Sequence, residues 1–469
     1  MKTSKWAALA LLATTQFVLI LDLTIVGIAL PPMGRDLDLD SAGLSWMTTA
    51  YSLVFGGLLL LGGRLADTLG RRRVFVAGMA MFAAASLAGG AASTGEMVIA
   101  VRAVQGLAGA LVAPAALSLV MTIFKDDPAL ARAMGIWGAV GGVGGAAGVV
   151  LGGVLTDAFG WRSVFFVNVP VGAAVAVLAL VLLPEARSAA PRRGFDLAGA
   201  VTSTTGLGLL TYALVDAAES GWASGPVLAA AAAAVALLAL FLVLESRSAN
   251  PLMPLTIFRN PPLRAGNLLM FLVPAAMQPV FFLLTLYTQQ ILGYTPTESG
   301  LSIAAIAVAI ALTASLAGGR AVERFGIRAT AVAGLGLLLG GALLYLRLAV
   351  GGSFAGVLLA PEIITGVGFG LFVVAATVAA TSGVSGEEAG LASGLVNVAQ
   401  QTGISVGTAL IVAVAAAVTG GSTRPADLVE GYHAGIGVAV AILAVGLVAA
   451  AVLLPRRPRV AEPALVPAA

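Results

Sequence analysis

The segment GGRLADTLGRR, Gly62–Arg72, has a second copy later in the chain, GGRAVERFGIR, Gly318–Arg328. Each copy follows a long apolar run and carries several charges. The copies share three glycines and two arginines at one offset of 256 residues: Gly62, Gly63, Arg64, Gly70 and Arg72 match Gly318, Gly319, Arg320, Gly326 and Arg328. An acid, Asp67 or Glu323, occupies the same place in both copies. This match predicts a chain built of two homologous halves.

The composition places the chain in a membrane. It has 469 residues, of which 59% are hydrophobic and 10% are charged, whereas a soluble domain is about a quarter charged. The mean hydropathy is +1.03. The apolar runs are about 20 residues long, which is the length of a helix that crosses the hydrocarbon core. The short alternating segments of a transmembrane barrel are absent. We therefore predict an all-α integral membrane protein.

The apolar runs predict fourteen transmembrane helices. Their expected bounds are 6–30, 43–63, 73–93, 97–122, 133–154, 163–183, 197–216, 226–245, 264–289, 300–319, 329–347, 354–379, 392–418 and 432–454. The offset of the repeat places six helices in each half, 1–184 and 263–469, and leaves two in an insert, 185–262. Paired six-helix halves are typical of transporters.

The basic residues predict the orientation. With both termini in the cytoplasm, the inner segments hold nearly all Lys and Arg residues, and the outer loops hold only Arg35, Arg162, Arg347 and Arg424. Basic loops stay on the cytoplasmic side. We therefore expect a multi-pass protein of the bacterial cytoplasmic membrane with both termini inside.

The sequence offers little for other classes of function. It has no cysteine and one histidine, His433, which leaves no thiolate metal site. It has no Gly-x-x-x-x-Gly-Lys-Ser/Thr loop for ATP. The net charge of +3 comes from loops beside apolar runs. We expect no enzyme activity, no metal or other cofactor and no nucleic-acid partner.

A carboxylate stands within the first apolar run, in LDLTIVGIALP, Leu21–Pro31. A charge at mid-membrane costs roughly 2.5–3.5 kcal/mol on insertion scales, so Asp22 needs a reason to be there. A carboxylate can be neutral where it is dry and ionised where water or a cation reaches it. A site whose solvation alternates can therefore carry a proton. The alternative is a structural hydrogen bond to a neighbouring helix.

Five motifs run through the chain. They are LDLTIVGIALP in span 1, GGRLADTLGRRR after span 2, RAVQGLAGA (102–110) in span 4, WGAVGGVGGAAGVVLGGVL (137–155) in span 5 and GWRSVFFVNVPVG (160–172) in span 6. Together they resemble the major facilitator superfamily, and more narrowly its fourteen-spanner drug:proton antiporters. The resemblance covers nearly the whole chain. It implies a monomer that exchanges protons for amphipathic, often cationic, small molecules by alternating access.

Two alternatives of the same fold stay open. One is a dedicated exporter of a single natural product. The other is a proton-coupled importer, because Gly148-Val149 stands where the antiporter motif of span 5 usually has Gly-Pro.

The resemblance also implies that span 4 lies near span 1. Arg102 is therefore expected to tune Asp22 or to polarise a water beside it, and a bond to backbone carbonyls of span 1 is the alternative. Gln105 lies one turn further on the same face. Glu362, in span 12, can carry a second proton or attract a cationic substrate, unless it lies near enough to the outer surface to stay wet.

The substrate is expected near the midplane between the halves. Polar residues within otherwise apolar spans are the candidates, although such residues also hold helices together. Besides Glu362 they are Gln105, Gln278, Tyr287, Asn397, Gln400 and Gln401.

Two further sets of residues are expected to serve conformational change. In the loop after span 2, charged contacts are expected to latch one state, or else its arginines only anchor the topology; the candidates are Gly63, Arg64, Asp67, Gly70 and Arg71. In span 5, glycines at small-xxx-small spacing let two helices approach closely, as a sliding contact between the halves or as ordinary packing; these are Gly138, Gly142, Gly145, Gly148 and Gly152.

Overall fold

The computed structural model describes residues 5–124, 129–185, 196–248, 251, 255–381 and 389–455. Over these residues the regular structure is helical, without strands. The α-helices are α1 Lys5–Asp36, α2 Ser41–Leu69, α3 Arg71–Gly90, α4 Gly95–Ile123, α5 Leu130–Phe159, α6 Ser163–Phe166, α7 Asn168–Leu182, α8 Leu197–Ser220, α9 Gly225–Arg247, α10 Pro261–Leu286, α11 Pro296–Leu312, α12 Gly319–Tyr345, α13 Leu359–Thr381, α14 Ala389–Thr419 and α15 Pro425–Leu453. A 3₁₀ turn, Leu255–Arg259, and three π-helical turns, Tyr287–Ile291, Thr313–Gly318 and Phe354–Leu358, adjoin them. The predicted all-α class is confirmed.

The helices are long and apolar enough to cross a membrane several times. Among the described residues, 12 helices reach the length and hydropathy of a span, and a shorter apolar helix covers Val143–Phe159. One of the 12 is a 50-residue run, Pro296–Tyr345, which joins separate helical stretches at Gly326, where the backbone leaves the helical region. Helical residues overlap every predicted span, while the number of fourteen crossings stays a prediction.

The repeat in the sequence is also a repeat in backbone geometry. Gly70, between α2 and α3, has φ 109° and ψ 126°. Gly326, at its matching place in the second half, has φ 84° and ψ 166°. Residues with a side chain rarely adopt such positive φ values. The two glycines therefore make the same kind of turn at corresponding points of the two halves.

Each half is held together by close helix pairs. In the first half α2 and α3 pack on α4, α1 packs on α5, and α3 packs on α7. In the second half α10 packs on α14 and α15, and α12 packs on α13. Glycines permit this closeness: a side chain added at Gly106 of α4 would meet the backbone of Tyr51 on α2.

The two halves meet through α5 with α11 and through α2 with α14. The insert contributes α8 to this arrangement, because α8 packs on α9 and also on α2 and α14. The second insert helix, α9, turns most of its surface outward, and only 17% of its most apolar 18-residue stretch is buried. Its exposed apolar side chains, such as Leu228 and Val235, suit contact with lipid.

Candidate functional site

A fully buried carboxylate lies in the middle of α1. Asp22 has no exposed surface, and its Oδ2 lies 2.6 Å from Nη1 of Arg102 on α4. Its Oδ1 accepts a hydrogen bond of 2.7 Å from Nδ2 of Asn168, at the start of α7. Nε2 of Gln105 lies 3.4 Å from the same oxygen. The structure thus brings together Asp22, Arg102 and Gln105, which the sequence singled out.

The guanidinium of Arg102 contacts α2 and Gln105 as well as Asp22. Its Nε donates to the carbonyl of Met47 on α2 at 3.2 Å, and Nη1 also donates to Oε1 of Gln105 at 2.9 Å. The guanidinium carbon lies 4.5 Å from the ring centre of Tyr51, which is within cation–π range. A buried arginine requires such partners. The alternative interpretation expected a bond from Arg102 to a backbone carbonyl of α1. The backbone carbonyl that Arg102 contacts belongs to α2 instead.

Both ends of the Gln105 amide are engaged. Oε1 accepts from Arg102, and Nε2 donates to Oγ of Ser86 on α3 at 2.9 Å. Ser86 in turn donates to the carbonyl of Phe82 at 2.7 Å. Gln105 therefore belongs with the buried charges. The sequence predicted that its amide contacts a substrate, but both ends of the amide are bonded within the protein. We call the following residues the Asp22 group: Asp22, Tyr51, Ser86, Arg102, Gln105 and Asn168.

The Asp22 group places a titratable carboxylate at the contact of α1 with α4. In every hydrogen bond that Asp22 makes, its carboxylate is the acceptor, which is how an ionised acid bonds. A proton on Oδ2 would need the position that Nη1 of Arg102 now holds. Protonation would therefore break the shortest contact between the two helices, and a buried arginine that loses its partner is strongly destabilising.

Three members of the group were not predicted from the sequence. Asn168 had a usable signal, because it is the one polar side chain of α7. Ser86 and Tyr51 had none, since such residues are common in apolar helices, where they serve packing. Only the packing of α2 and α3 on α4 brings them to Arg102 and Gln105.

Glu362 lies apart from this group, in α13 of the second half. It is fully buried, and neither of its carboxylate oxygens has a hydrogen-bond partner among the described residues. Full burial contradicts the alternative that Glu362 stays wet near the outer surface.

Tyr287 and Gln401 have different surroundings. The Tyr287 hydroxyl donates to the carbonyl of Ala349 at 2.7 Å, so it fixes the connection between α12 and α13. Gln401 is 7% exposed, its Oε1 has no partner among the described residues, and its Cβ packs on Gly56 of α2. Gln401 therefore lies at the contact between the halves, whereas Tyr287 has a structural task.

The other substrate candidates are more open. Gln278 and Gln400 are half-buried, and Asn397 is exposed. Asn397 and Gln401 lie four residues apart in α14, where residues at that spacing share a helix face, but they differ in burial.

The charges of the α2–α3 connection bind largely within the first half. Arg71 pairs with Asp67 at 2.8 Å. The same guanidinium donates to Thr122 and to the carbonyl of Ser118, both on α4. This pair therefore ties the ends of α2 and α4 together, a contact that the sequence did not predict.

Arg64 reaches beyond the first half. Its Nη2 donates to the carbonyl of Pro251 at 2.7 Å, and Pro251 lies in the linker between the insert and the second half. Gly63 faces Pro114 of α4, and Gly70 makes the turn into α3. Among the latch candidates, Arg64 thus contacts the linker between the insert and the second half.

The glycines of α5 pack on α1, with the backbones of Leu21 and Ile25 as neighbours. The members with described surroundings are Gly145, Gly148 and Gly152. Their contacts stay within the first half, so they favour ordinary packing over the sliding contact between halves.

The contact between the halves falls on the next face of α5. There Gly153 lies against the backbone of Pro296, at the start of α11. The surroundings of Gly138 and Gly142 lie outside the described part of the chain.

Two hydrogen bonds among the described residues join the halves at the end that carries the α1–α2 loop, which we call the predicted outer end. Oδ2 of Asp157 accepts from the backbone N–H of Thr297 in the first turn of α11 at 2.8 Å. Nε2 of Gln289 donates to the carbonyl of Ile28 on α1 at 2.9 Å. First-turn N–H groups lack partners within their own helix and attract negative charge. These bonds join α11 and the π-helical turn Tyr287–Ile291 of the second half to α5 and α1 of the first half.

Comparison with known proteins supports one family. The model of the Major Facilitator Superfamily matches residues 12–408. The chain is 38% identical over 462 residues to a cephamycin export protein of Amycolatopsis lactamdurans, covering 97% of this chain and 93% of the relative. It is 37% identical over 470 residues to a puromycin resistance protein of Streptomyces alboniger, covering 98% and 93%. A multidrug resistance protein of Mycobacterium tuberculosis is 36% identical over 391 residues, covering 83% and 72%.

Solved structures share the fold. A bacterial homologue of the human lysosomal transporter Spinster, inward-facing and unoccupied, superimposes with a TM-score of 0.71 at 15% identity, covering 98% of this chain and 100% of that one. The nucleoside transporter NupG gives a TM-score of 0.66 at 14% identity, covering 95% and 99%.

Proposed function

This chain belongs to the Major Facilitator Superfamily, and from that premise we propose that it exports amphipathic, often cationic, drug-sized molecules in exchange for protons. Like its relatives and structural neighbours, it is a multi-pass membrane transporter. It is not an enzyme. Full-length relatives named for antibiotic export and resistance support the direction of transport. We place it in the bacterial cytoplasmic membrane with both termini inside, acting as a monomer in the lipid bilayer.

The observation that carries the proton coupling is the buried Asp22–Arg102 pair. A charge pair sealed among helices is expensive to assemble and weak evidence of stability, so a role in the transport cycle explains it better. Water reaching Asp22 from the predicted outer end would deliver a proton and release Arg102. Loss of the proton to the cytoplasm would restore the pair and reset α1 against α4.

At one proton per substrate, the charge of the substrate decides whether the membrane potential adds to the pH gradient as a driving force. One proton exchanged for one monovalent cation moves no net charge, so only the pH gradient drives it, at about 1.4 kcal/mol per unit. A neutral substrate would also gain about 2.3 kcal/mol per 100 mV from the potential. Glu362, buried without a hydrogen-bond partner among the residues that the structure describes, is the second acid that could bind a further proton or a cationic group.

We assign the rest of the chain by position. Residues 1–184 and 263–469 are the two moving halves, and residues 185–262 are the insert that flanks their contact through α8. Gln401, Gln278, Gln400 and Asn397 stay candidates for the substrate path, with Gln401 the best placed. Asp67 and Arg71 stabilise the first half by joining the ends of its helices. Arg64 connects the first half to the linker that precedes the second half.

Expression in a bacterial host that lacks its own drug pumps tests this function. Cells carrying the chain should tolerate more puromycin or ethidium and should accumulate less of each compound. Protection against one compound alone would favour the dedicated exporter, which the relatives named for single antibiotics make the second candidate. Greater accumulation while the proton gradient is intact would contradict export and indicate an importer.

Replacing Asn168 should change how the transport rate depends on pH. Asn168→Leu removes an N–H donor from ionised Asp22, so the proton is held more tightly and its release needs a more alkaline cytoplasm. A hydrogen bond to a charged group is worth about 1.5–3 kcal/mol, which corresponds to a shift of the half-maximal rate by about one pH unit or more. The measurement is substrate uptake into inverted vesicles over a range of pH.

Asn267→Leu is the matched control for Asn168. Asn267 is a buried asparagine of α10 that donates to the carbonyl of Leu263 in its own helix. Its replacement should leave the pH profile in place. An unchanged profile in Asn168→Leu would show that Asn168 only packs α7.

Replacing Asp157 should loosen the predicted outer end. Asp157→Ala removes the acceptor for Thr297 N–H. Asp157 is exposed, so the loss is about 1 kcal/mol, or about fivefold in the ratio of open to closed states. Spin labels on cysteines introduced at the exposed residues Phe159 and Leu301 would report a longer distance population. Asp157→Asn keeps an acceptor oxygen and should lie between; identical distances in all three proteins would rule out a closing role.

A further inference from the structure

A cavity of about 840 Å³ opens at the predicted outer end, between the halves. Its walls come from α1 and α2 of the first half, from α14 and the π-helical turn Tyr287–Ile291 of the second half, and from α8 of the insert through Val215. Its volume falls in the range of roughly 300–1,000 Å³ that is typical of small-molecule sites. None of the residues expected to bind substrate at the midplane lines it.

Two buried polar atoms in the cavity wall have no partner among the described residues. They are Oγ of Ser45, a residue that is 1% exposed, and Oε1 of Gln289, a residue that is 7% exposed. The other end of the Gln289 amide is fixed by its bond to Ile28. Buried polar atoms normally have a hydrogen-bond partner, and each exception requires an explanation.

The rest of the wall defines what would fit. Val412, Ala413 and Leu44 present an apolar surface, while Arg35 and Asp40 at the exposed rim carry opposite charges. The described lining holds no buried acid, so it offers nothing to neutralise a dication. A ligand with an apolar body and one N–H or O–H group would pack against this wall and donate a hydrogen bond to the amide oxygen of Gln289.

We propose that this cavity is a second binding site for the exported molecule, occupied on its way out and distinct from the midplane. The inference rests on the export function proposed above. The ligand is a drug-sized amphipathic molecule, neutral or with a single positive charge, which donates a hydrogen bond to Oε1 of Gln289 and meets the hydroxyl of Ser45. The insert helix α8 thereby gains a part in the transport path.

The absence of cysteine from the sequence permits a direct test. Ser45→Cys places a single, nearly isosteric thiol in the cavity wall, and Ser220→Cys places one on the exposed end of α8, outside the cavity. Both proteins are put into lipid nanodiscs, where both faces are accessible, and are labelled with a maleimide dye. Puromycin and ethidium serve as probes, and their binding to each protein is measured in parallel.

Saturating probe should slow the labelling of Ser45→Cys at least about fivefold and leave Ser220→Cys unchanged. Adding Ala413→Trp, which fills the cavity, should remove the effect of the probe on labelling while the probe still binds elsewhere. A probe that binds but does not slow the labelling of Ser45→Cys would overturn the second site and leave the export function standing. Failure of both probes to bind, together with no export in cells, would overturn both proposals.

Discussion

Asp22→Asn is expected to abolish uphill export while the substrate still exchanges across the membrane. Asparagine keeps the shape of the side chain and an acceptor oxygen for Arg102, but it cannot release a proton. In wild-type vesicles each unit of pH gradient can sustain about a tenfold substrate gradient for one-to-one exchange. In the variant that ratio should fall to one at any pH gradient, whereas exchange of labelled for unlabelled substrate continues.

Asp38→Asn is the control for this variant. Asp38 is exposed in the connection between α1 and α2 and has φ 51°, a conformation that asparagine tolerates well. It should export like the wild type. Continued uphill export by Asp22→Asn would remove Asp22 from the coupling mechanism and direct attention to Glu362.

Arg102→Leu is expected to destabilise the protein more than any surface change. It leaves the carboxylate of Asp22 buried without its cation, and breaking a buried pair in this way costs about 3–5 kcal/mol. The double variant Asp22→Asn with Arg102→Leu should recover most of that loss, because no buried charge remains. Thermal unfolding of the purified proteins in detergent gives the comparison.

Arg162→Gln provides the scale for that result. Arg162 pairs with Asp36 at 2.7 Å, with the two side chains 41% and 49% exposed, and such exposed pairs contribute about 0–1 kcal/mol. A double variant as unstable as Arg102→Leu alone would mean that Arg102 acts through Met47 and Tyr51, and not through Asp22.

The sequence predicts the fold because membrane spans and internal repeats leave strong signals. Apolar runs of fixed length gave helices close to the observed bounds, and the matching Gly70 and Gly326 proved to share a backbone conformation. The bounds differ most around Gly326. The chain turns there in the structure, within residues 320–328 that the sequence predicts between two spans, but helix extends up to the turn on both sides.

The site was predictable where charge is costly and unpredictable where packing decides. Asp22 and Arg102 stand out because charged residues within spans are rare. Ser86 and Tyr51 do not, since small polar and aromatic residues occur in many apolar helices and only the meeting of α2, α3 and α4 selects these two.

Spacing alone also left helix partners undetermined. The glycines of α5 predicted a close approach, but the same pattern fits α1 and the second half equally well. In the structure Gly148 and Gly152 of α5 pack against α1. Likewise, the charges near the end of α2 could not reveal that Arg64 would reach Pro251, almost two hundred residues away in the chain.

The most direct test of the account is proton movement in proteoliposomes. A pH gradient is imposed, puromycin or ethidium is added, and the internal pH is followed for the wild type and for Asp22→Asn. The account predicts that the substrate triggers proton flux in the wild type and none above background in the variant. Substrate transport without proton flux in the wild type, or equal flux in both proteins, would contradict it.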